Sequence, residues 1–171
     1  MDILWSPWRF NYVTSENLSD KVGCPFCVAL NSSVSDEEKF ILYRAEHNFV
    51  ILNIYPYVSG HLMVVPYRHL ANLEDTESVV SNEMMELTKR FQAMIKRVYH
   101  PDGTNIGMNQ GKAAGAGVAG HLHMHILPRW IGDVNFMTSI SETRTIPEDL
   151  FTTYSRLKAA IDEEATENDK M

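Results

Sequence analysis

Three histidines alternate with apolar residues in the segment His121-Leu122-His123-Met124-His125-Ile126-Leu127. Alternation with a period of two is typical of a β-strand, so His121, His123 and His125 are predicted to project from one face and the apolar residues from the other. Imidazoles titrate near neutral pH, act as nucleophiles and bind metals. Three of them on one face therefore indicate a site of chemistry rather than core packing.

A second group of candidate ligands is the pair Cys24-x-x-Cys27, which contains both cysteines of the chain. Thiols at this spacing either form a redox pair or bind a metal. No thioredoxin-like βαβ pattern surrounds the pair, and no secretory signal is expected at the N-terminus, so metal binding is favoured over redox chemistry and over a structural disulfide. Two thiolates completed by two imidazoles would suit structural zinc.

A glycine-rich loop precedes the histidines, with Gly107, Gly111, Gly115, Gly117 and Gly120. Residues 115–120 match G-x-G-x-x-G, but the dinucleotide fingerprint requires a helix directly after it, and here the histidine strand follows. Lys112 is not part of a P-loop, because Ala113 stands where serine or threonine is needed. The loop is either a flexible hairpin connection or a backbone cradle for a phosphate-like anion, and the neighbouring histidines favour the cradle.

The elements that must position these residues follow from hydrophobic periodicity. Apolar spacings of three and four predict one long amphipathic helix over residues 77–99. Pro147, with Glu148 and Asp149 beside it, predicts a last helix over 147–163, followed by a frayed polar tail. Strands are predicted at residues 39–44, 49–54, 61–66, 104–109 and 121–127, of which the first three form an antiparallel meander because their connections are short. Strands grouped around one long helix give an α+β fold.

The length of 171 residues is most simply a single domain over 1–171. We expect an N-terminal segment over 1–30 that carries the cysteine knuckle, a core over 39–130, and the C-terminal helix. Within the N-terminal segment, four aromatic residues are expected to anchor an irregular stretch on the body of the protein: Trp5, Trp8, Phe10 and Tyr12.

The composition excludes several classes of partner. The net charge is -7 and no basic patch is present, which argues against a nucleic-acid surface. A small anionic ligand is compatible, because a local site can be positive on an acidic protein. No apolar run approaches the ~20 residues of a membrane span, and no secretory signal is recognised. We therefore expect a cytoplasmic protein without membrane contact.

On these motifs the chain resembles the histidine triad (HIT) family, whose signature H-φ-H-φ-H-φ-φ is filled at every position by residues 121–127. Asn53 and residues 55–66 are similar to the family's nucleoside-binding strands, and residues 109–120 to its phosphate-binding segment. Further stretches resemble the bacterial branch that includes diadenosine tetraphosphate phosphorylases: Trp5-Ser6-Pro7-Trp8-Arg9, Tyr55-Pro56-Tyr57 and Gly132-Asp133-Val134-Asn135-Phe136. The resemblance covers residues 5–157.

The resemblance implies a HIT-like fold and a nucleotidyl hydrolase or transferase. Its substrates would be dinucleoside polyphosphates, cleaved through a covalent nucleotidyl-histidine intermediate. It implies that His123 is the nucleophile and that His125 contacts the α-phosphoryl oxygens. Gln110, next to Asn109 in the phosphate-binding segment, would hydrogen-bond the phosphate or the attacking group.

The resemblance also implies a nucleoside pocket. Asn53 would bind the ribose hydroxyls, His61 and Met63 would line the pocket, and Ile51 would lie against the base. Other interpretations stay open: Asn53 could cap the turn at 55–60, His61 could be a surface histidine at a strand end, and the two apolar residues could be core.

For the metal, resemblance to zinc-containing members and to galactose-1-phosphate uridylyltransferases implies one structural zinc per chain. Its ligands would be Cys24, Cys27, His69 and His121, and it would tie the N-terminal knuckle to the histidine strand. The family also implies a homodimer with a continuous sheet, formed through the long helix and an adjoining strand.

One position departs from the family pattern. Many HIT hydrolases carry Gln or Ser four residues before the first triad histidine, where this chain has Gly117. The missing side chain leaves open whether water or phosphate resolves the intermediate. Nucleoside phosphoramidate hydrolysis is an alternative activity. A metal centre on the triad and a non-catalytic nucleotide-binding module are alternatives of another class.

Overall fold

The computed structural model describes residues 23–133 and 146–168. The four predicted aromatic anchors of the N-terminal segment lie outside these residues. So do the motif at 5–9 and the last three residues of the motif at 132–136.

Five strands form one antiparallel sheet in the order β1-β2-β3-β5-β4. The strands are β1 at Ile41–Arg44, β2 at Asn48–Leu52, β3 at Leu62–Pro66, β4 at Gly103–Gly107 and β5 at Met124–Arg129. The first three form the predicted meander. Strand β5, which carries the end of the triad segment, pairs with β3 although a helix and β4 lie between them in the chain. The predicted α+β architecture is confirmed.

In residues 23–133 and 146–168, three α-helices pack around the sheet: α1 at Pro25–Asn31, α2 at Ser78–Tyr99 and α3 at Leu150–Asn168. The long helix α2 begins one residue later than predicted and ends where predicted. It ends because His100 adopts a left-handed conformation with φ 47° and donates its backbone N–H to the carbonyl of Lys96. No helix in the described part of the chain is long and apolar enough to cross a membrane.

Both faces of the sheet are covered, which explains why β2 and β3 are buried at every position. On one face, Val50 and Val64 pack with α2 and α3 in the main core cluster. On the other face, Ile51 and Met63 pack with Phe26 of α1 in a smaller cluster. The sheet therefore separates a structural core from the side on which α1 lies.

Two strands begin two or more residues later than predicted. The first was expected from residue 39 but begins at Ile41, because Phe40 has a φ of 58° that no strand accommodates. The triad strand was expected from His121 but begins at Met124. The backbone N–H of Leu122 donates instead to the carbonyl of Leu70 at 2.7 Å, outside the ladder. The remaining strand bounds differ from the prediction by one or two residues.

The C-terminal helix is also displaced from its predicted range. It begins at Leu150 rather than at Pro147, because the Asp149 carboxylate accepts the backbone N–H of Thr152 at 3.0 Å and caps the helix. It continues to Asn168, past the predicted start of fraying, and Glu164 in this extension forms an ion pair with Arg90 of α2, 3.0 Å apart.

Candidate active site and metal cluster

The triad segment keeps its predicted alternation although only its second half is strand. Leu122, Met124 and Ile126 lie in the main core cluster with α2. The three histidines lie on the other side, with exposed fractions of 1% for His121, 4% for His123 and 8% for His125. The rings of His123 and His125 are 4.7 Å apart between centroids. The alternation therefore joins the core to the site within one segment.

The tautomer of His123 follows from its hydrogen bond. Its Nδ1 lies 2.8 Å from the backbone carbonyl oxygen of His121. A carbonyl oxygen only accepts, so Nδ1 carries the proton and Nε2 keeps its lone pair. Burial lowers the pKa of His123 below its ordinary value. The ring is therefore neutral near pH 7, with Nε2 as its nucleophilic atom.

The tautomer of His125 follows from its hydrogen bond with His61. The backbone N–H of Tyr57 donates to Nδ1 of His61 at 3.2 Å, and the side-chain amide of Asn53 lies 3.3 Å from the same atom. Burial, followed by the neighbouring His125 and His123, lowers the pKa of His61 to about 3, so the ring is neutral and carries one proton. Because Nδ1 accepts a hydrogen bond from Tyr57, this proton is on Nε2. That proton is donated to Nδ1 of His125 at 2.9 Å. His125 therefore holds its own proton on Nε2, as a donor.

A cavity of about 380 Å³ lies between α1 and the sheet, within the range of small-ligand sites. Six residues expected at the site line it: Ile51, Asn53, Met63, Gly117, His123 and His125. His61, which we expected to line the pocket, lies behind His125 with 1% of its surface exposed. Asn109 and Gln110 are not among the lining residues, and the side-chain oxygen of Gln110 accepts the backbone N–H of Leu73 at 2.8 Å.

Asn53 combines two of the interpretations given above. Its side-chain oxygen accepts the backbone N–H of Tyr55 at 2.9 Å, which is the turn cap expected of an asparagine before a turn. The same residue lines the cavity and contacts His61 through its amide nitrogen. The turn cap holds the amide of Asn53 in place at the cavity wall.

The sequence did not predict two aromatic residues of the cavity, Phe26 and Phe40. Phe26 packs against His121 and His123, with ring centroids 5.2 and 5.3 Å away. The position of Phe26 could have been inferred from the sequence, because Phe26 lies between two cysteines that were expected to bind a metal together with His121. No sequence pattern indicated Phe40, which belonged to a predicted strand.

The four predicted metal ligands converge from three parts of the chain. The ligand atoms of Cys24, Cys27, His69 and His121 all lie within 4.8 Å of one another. Cys24 Sγ is 3.2 Å from Nδ1 of His121, and Cys27 Sγ is 3.4 Å from Nδ1 of His69 and 3.6 Å from Nδ1 of His121. Burial raises the pKa of the Cys27 thiol, and the neighbouring Cys24 adds to this.

The donor set and its spacing fit zinc. With Zn–S of about 2.3 Å and Zn–N of about 2.0 Å, tetrahedral S and N ligands are about 3.5 Å apart, which the three sulfur–nitrogen distances match. Nε2 of His121 donates to the carbonyl of Pro66 at 2.9 Å, so Nδ1 turns its lone pair to the cysteines. The cluster thus has the composition and orientation of a metal site.

A five-stranded antiparallel sheet that carries alternating histidines at a nucleotide-sized cavity is the architecture of a histidine triad protein. The sequence matches the HIT domain family over residues 34–130. The chain belongs to the HIT family.

Relatives and solved structures agree with this membership. The chain is 42% identical over 151 residues to the AP-4-A phosphorylase of Mycobacterium tuberculosis (strain ATCC 25618 / H37Rv), covering 85% of this chain and 76% of the relative. It is 31% identical over 99 residues to the bis(5'-adenosyl)-triphosphatase of Saccharomyces cerevisiae (strain YJM789), covering 55% of this chain and 48% of the relative. A Zn-bound histidine triad family protein from Mycobacterium smegmatis superposes with a TM-score of 0.68 at 30% identity, covering 84% of this chain and 96% of that protein.

Proposed function

We propose that this protein is an enzyme that cleaves dinucleoside polyphosphates, such as diadenosine tetraphosphate, through a nucleotidyl intermediate on His123. The observation that carries the proposal is the neutral His123, whose Nδ1 is bonded to a backbone carbonyl and whose ring lines a cavity of about 380 Å³. The names of the phosphorylase and triphosphatase relatives support this class of substrate.

In the first step, the lone pair of His123 Nε2 attacks the α-phosphorus. A P–N bond forms, and the bond from phosphorus to the bridging oxygen breaks, so the remaining nucleoside polyphosphate leaves with the electron pair. Nδ1–H of the resulting cationic ring keeps its hydrogen bond to the carbonyl of His121, which stabilises the charge. The backbone contact thus serves both the free and the nucleotidylated histidine.

His125 acts on the phosphoryl oxygens. Its Nε2–H, set by His61, is a donor for an oxygen whose negative charge grows as the P–N bond forms. The glycine-rich loop contributes Gly117 and Val118 to the same cavity. We propose that its backbone N–H groups bind the polyphosphate, with Asn53 at the ribose and Ile51 and Met63 under the base.

In the second step, an oxygen nucleophile attacks the phosphorus and the P–N bond breaks, which returns a neutral His123. Phosphate as the nucleophile yields ADP from diadenosine tetraphosphate, and water yields AMP with loss of its proton to solvent. Gly117 offers no side chain to position either one. The 42% identity to a phosphorylase favours phosphate.

The decisive experiment is a product assay on diadenosine tetraphosphate with and without inorganic phosphate. We expect ATP and ADP when phosphate is present, and loss of at least about 10³-fold in kcat for His123→Ala. Val79→Ala, on the exposed side of α2, is the matched control. Absence of turnover, or full activity in His123→Ala, would contradict the proposal, and turnover of adenosine phosphoramidate alone would replace the substrate class.

Zinc is proposed as a structural ion, one per chain, held by the cluster of Cys24, Cys27, His69 and His121. When bound, it would cross-link α1, the segment after β3 and the triad. Sulfur donors of this kind persist in a reducing compartment, which is why we propose a cytoplasmic protein.

A homodimer is proposed from the edge of the sheet. Strand β4 is an edge strand in the described part of the chain, and Ile106 is 41% exposed there. A second copy paired along β4 would cover that edge. Light scattering should give twice the chain mass of 19.5 kDa, and a monomer would contradict this part of the proposal.

A further inference from the structure

One rung of the sheet runs under the cavity from the histidines to β1. His125 of β5 pairs with Met63 of β3. Met63 pairs with Ile51 of β2, which in turn pairs with Ile41 of β1. Neighbouring strands are about 4.8 Å apart, so the rung spans about 14 Å. Phe40 precedes Ile41 and lines the cavity, and therefore lies at the end opposite to His125.

This end is where a nucleobase would lie under the proposed function, on which the inference rests. With the α-phosphorus at His123 and the ribose at Asn53, the base extends across β2 toward β1. The part of adenine farthest from the sugar is its N6 edge. That edge would approach Phe40.

The backbone of Phe40 is unusual. Its φ of 58° is one of two positive values among the described non-glycine residues. The other belongs to His100, which ends a helix. A left-handed conformation is costly for a bulky side chain, and glycine or asparagine would adopt it more readily. Two backbone hydrogen bonds of 3.0 Å hold it, from Phe40 N–H to the Glu37 carbonyl and from Leu52 N–H to the Phe40 carbonyl.

Two aromatic rings of α3 pack against the ring of Phe40. The ring centroid of Phe151 is 5.0 Å away in an edge-on contact, and that of Tyr154 is 6.2 Å away. Tyr154 also donates its hydroxyl to the carbonyl of Ile41 at 3.3 Å. Phe40 therefore lines the cavity and also contacts the C-terminal helix through its ring.

We propose that Phe40 is a specificity-determining residue whose ring closes the far end of the nucleobase pocket, and that Phe151 positions this ring from α3. The length of the pocket at this end then limits the size of the N6 substituents that can bind.

Paired ligands of different length test the proposal. Binding of AMP and of N6-benzyl-AMP is measured by calorimetry on the full-length wild type, Phe40→Ala and Phe151→Ala. We expect the wild type to bind the benzyl derivative about tenfold or more weakly than AMP. In Phe40→Ala that ratio should fall by at least about fivefold, while KM for diadenosine tetraphosphate rises more than kcat falls.

Phe151→Ala keeps the proposal testable if Phe40→Ala does not fold. Phe151 is 60% exposed and is not among the cavity-lining residues, so its truncation should leave the fold intact. We expect its ratio of the two affinities to move in the same direction as in Phe40→Ala, by about twofold to fivefold. Val79→Ala, 54% exposed on α2, should keep the wild-type ratio.

The outcomes separate the two proposals. An affinity ratio that stays within about twofold of wild type in both phenylalanine variants overturns the role of Phe40, even when diadenosine tetraphosphate is cleaved. A wild-type protein that neither binds AMP nor cleaves diadenosine tetraphosphate overturns the proposed function itself.

Discussion

His123 donates its Nδ1–H to the backbone carbonyl of His121 at 2.8 Å, so the ring proposed to attack phosphorus is held by a residue of the cysteine–histidine cluster. His121 itself is held on both sides of its ring, by the cysteines at Nδ1 and by Pro66 at Nε2. One hydrogen bond thus separates the candidate metal site from the candidate nucleophile.

Loss of the metal should therefore lower activity without touching the cavity. We expect Cys24→Ser to lose most of its zinc, measured by elemental analysis, and to lose about tenfold or more in kcat as His121 loosens. A chelator should act on the wild type in the same direction.

His123→Ala distinguishes a structural ion from a metal centre on the triad. This variant should keep one zinc per chain and fold like the wild type, while losing activity. Zinc lost from His123→Ala but retained in Cys24→Ser would contradict the assignment of the ligands.

Removal of His61 should impair catalysis through His125. We expect His61→Ala to lower kcat by about ten- to a hundredfold, because His125 loses the donor that keeps its proton on Nε2. Nitrogen NMR should show one His125 tautomer in the wild type and a mixture in the variant. His47→Ala, whose ring is outside the cavity lining, is the control. An unchanged tautomer in His61→Ala would refute the relay.

His61 should also make stability depend on pH. Its pKa is about 3 in the folded protein, mainly through burial, against about 6.5 in the unfolded chain. Between these values the unfolded chain binds more protons, so stability falls as pH decreases from about 6.5, by at most about 1.4 kcal/mol per pH unit. Urea unfolding at several pH values should give a steeper decline for the wild type than for His61→Asn, which does not titrate. Both proteins share the cysteine–histidine cluster, so parallel curves would contradict the prediction.

Glu83 should stabilise the turn between β1 and β2. Its carboxylate accepts the backbone N–H groups of Glu46 and His47 at 3.0 and 2.9 Å and the amide of Asn48 at 2.8 Å. Burial opposes ionisation, but these bonds outweigh it and hold the pKa of Glu83 below its ordinary value. We expect Glu83→Ala to lower the free energy of unfolding by about 1–3 kcal/mol.

Glu86→Ala is the matched control for Glu83 on the same helix. Glu86 pairs with Lys89 at 2.9 Å on the exposed surface, and such pairs contribute about 0.5 kcal/mol or less. Equal losses in the two variants, measured by urea unfolding, would show that the contacts of Glu83 with the turn are not what stabilises the protein.

Hydrophobic periodicity was sufficient to predict the elements that have one buried helical face or one clear alternation of apolar and polar residues. Helix α2 and the triad segment are such cases, since the same pattern sets both the element and the buried side. Periodicity could not place the start of β1, because the left-handed Phe40 has a side chain that suits a strand. Periodicity also could not place the start of α3, because Asp149 caps the helix and Pro147 therefore lies before its first turn.

The site was predictable where its chemistry needs particular residue types. Cys24, Cys27, His69 and His121 converge as the family resemblance implied. Sequence reasoning could not show that His61 acts from behind His125, since burial is a property of the packed sheet. Nor could it show Phe26 and Phe40, because apolar side chains on a cavity wall have the same pattern as core residues.

The cysteine–histidine cluster has a consequence for the order of folding. Cys24 and His121 are 97 residues apart, and Cys27 and His69 are 42 apart. The knuckle is synthesised early, but its fourth ligand arrives only after the meander and α2 have been made. Binding of the proposed zinc ion would therefore be a late event, and the bound ion would cross-link a long loop and reduce the conformational freedom of the unfolded chain. A truncated chain that ends before His121 would lack both the proposed nucleophile and one of the four proposed metal ligands.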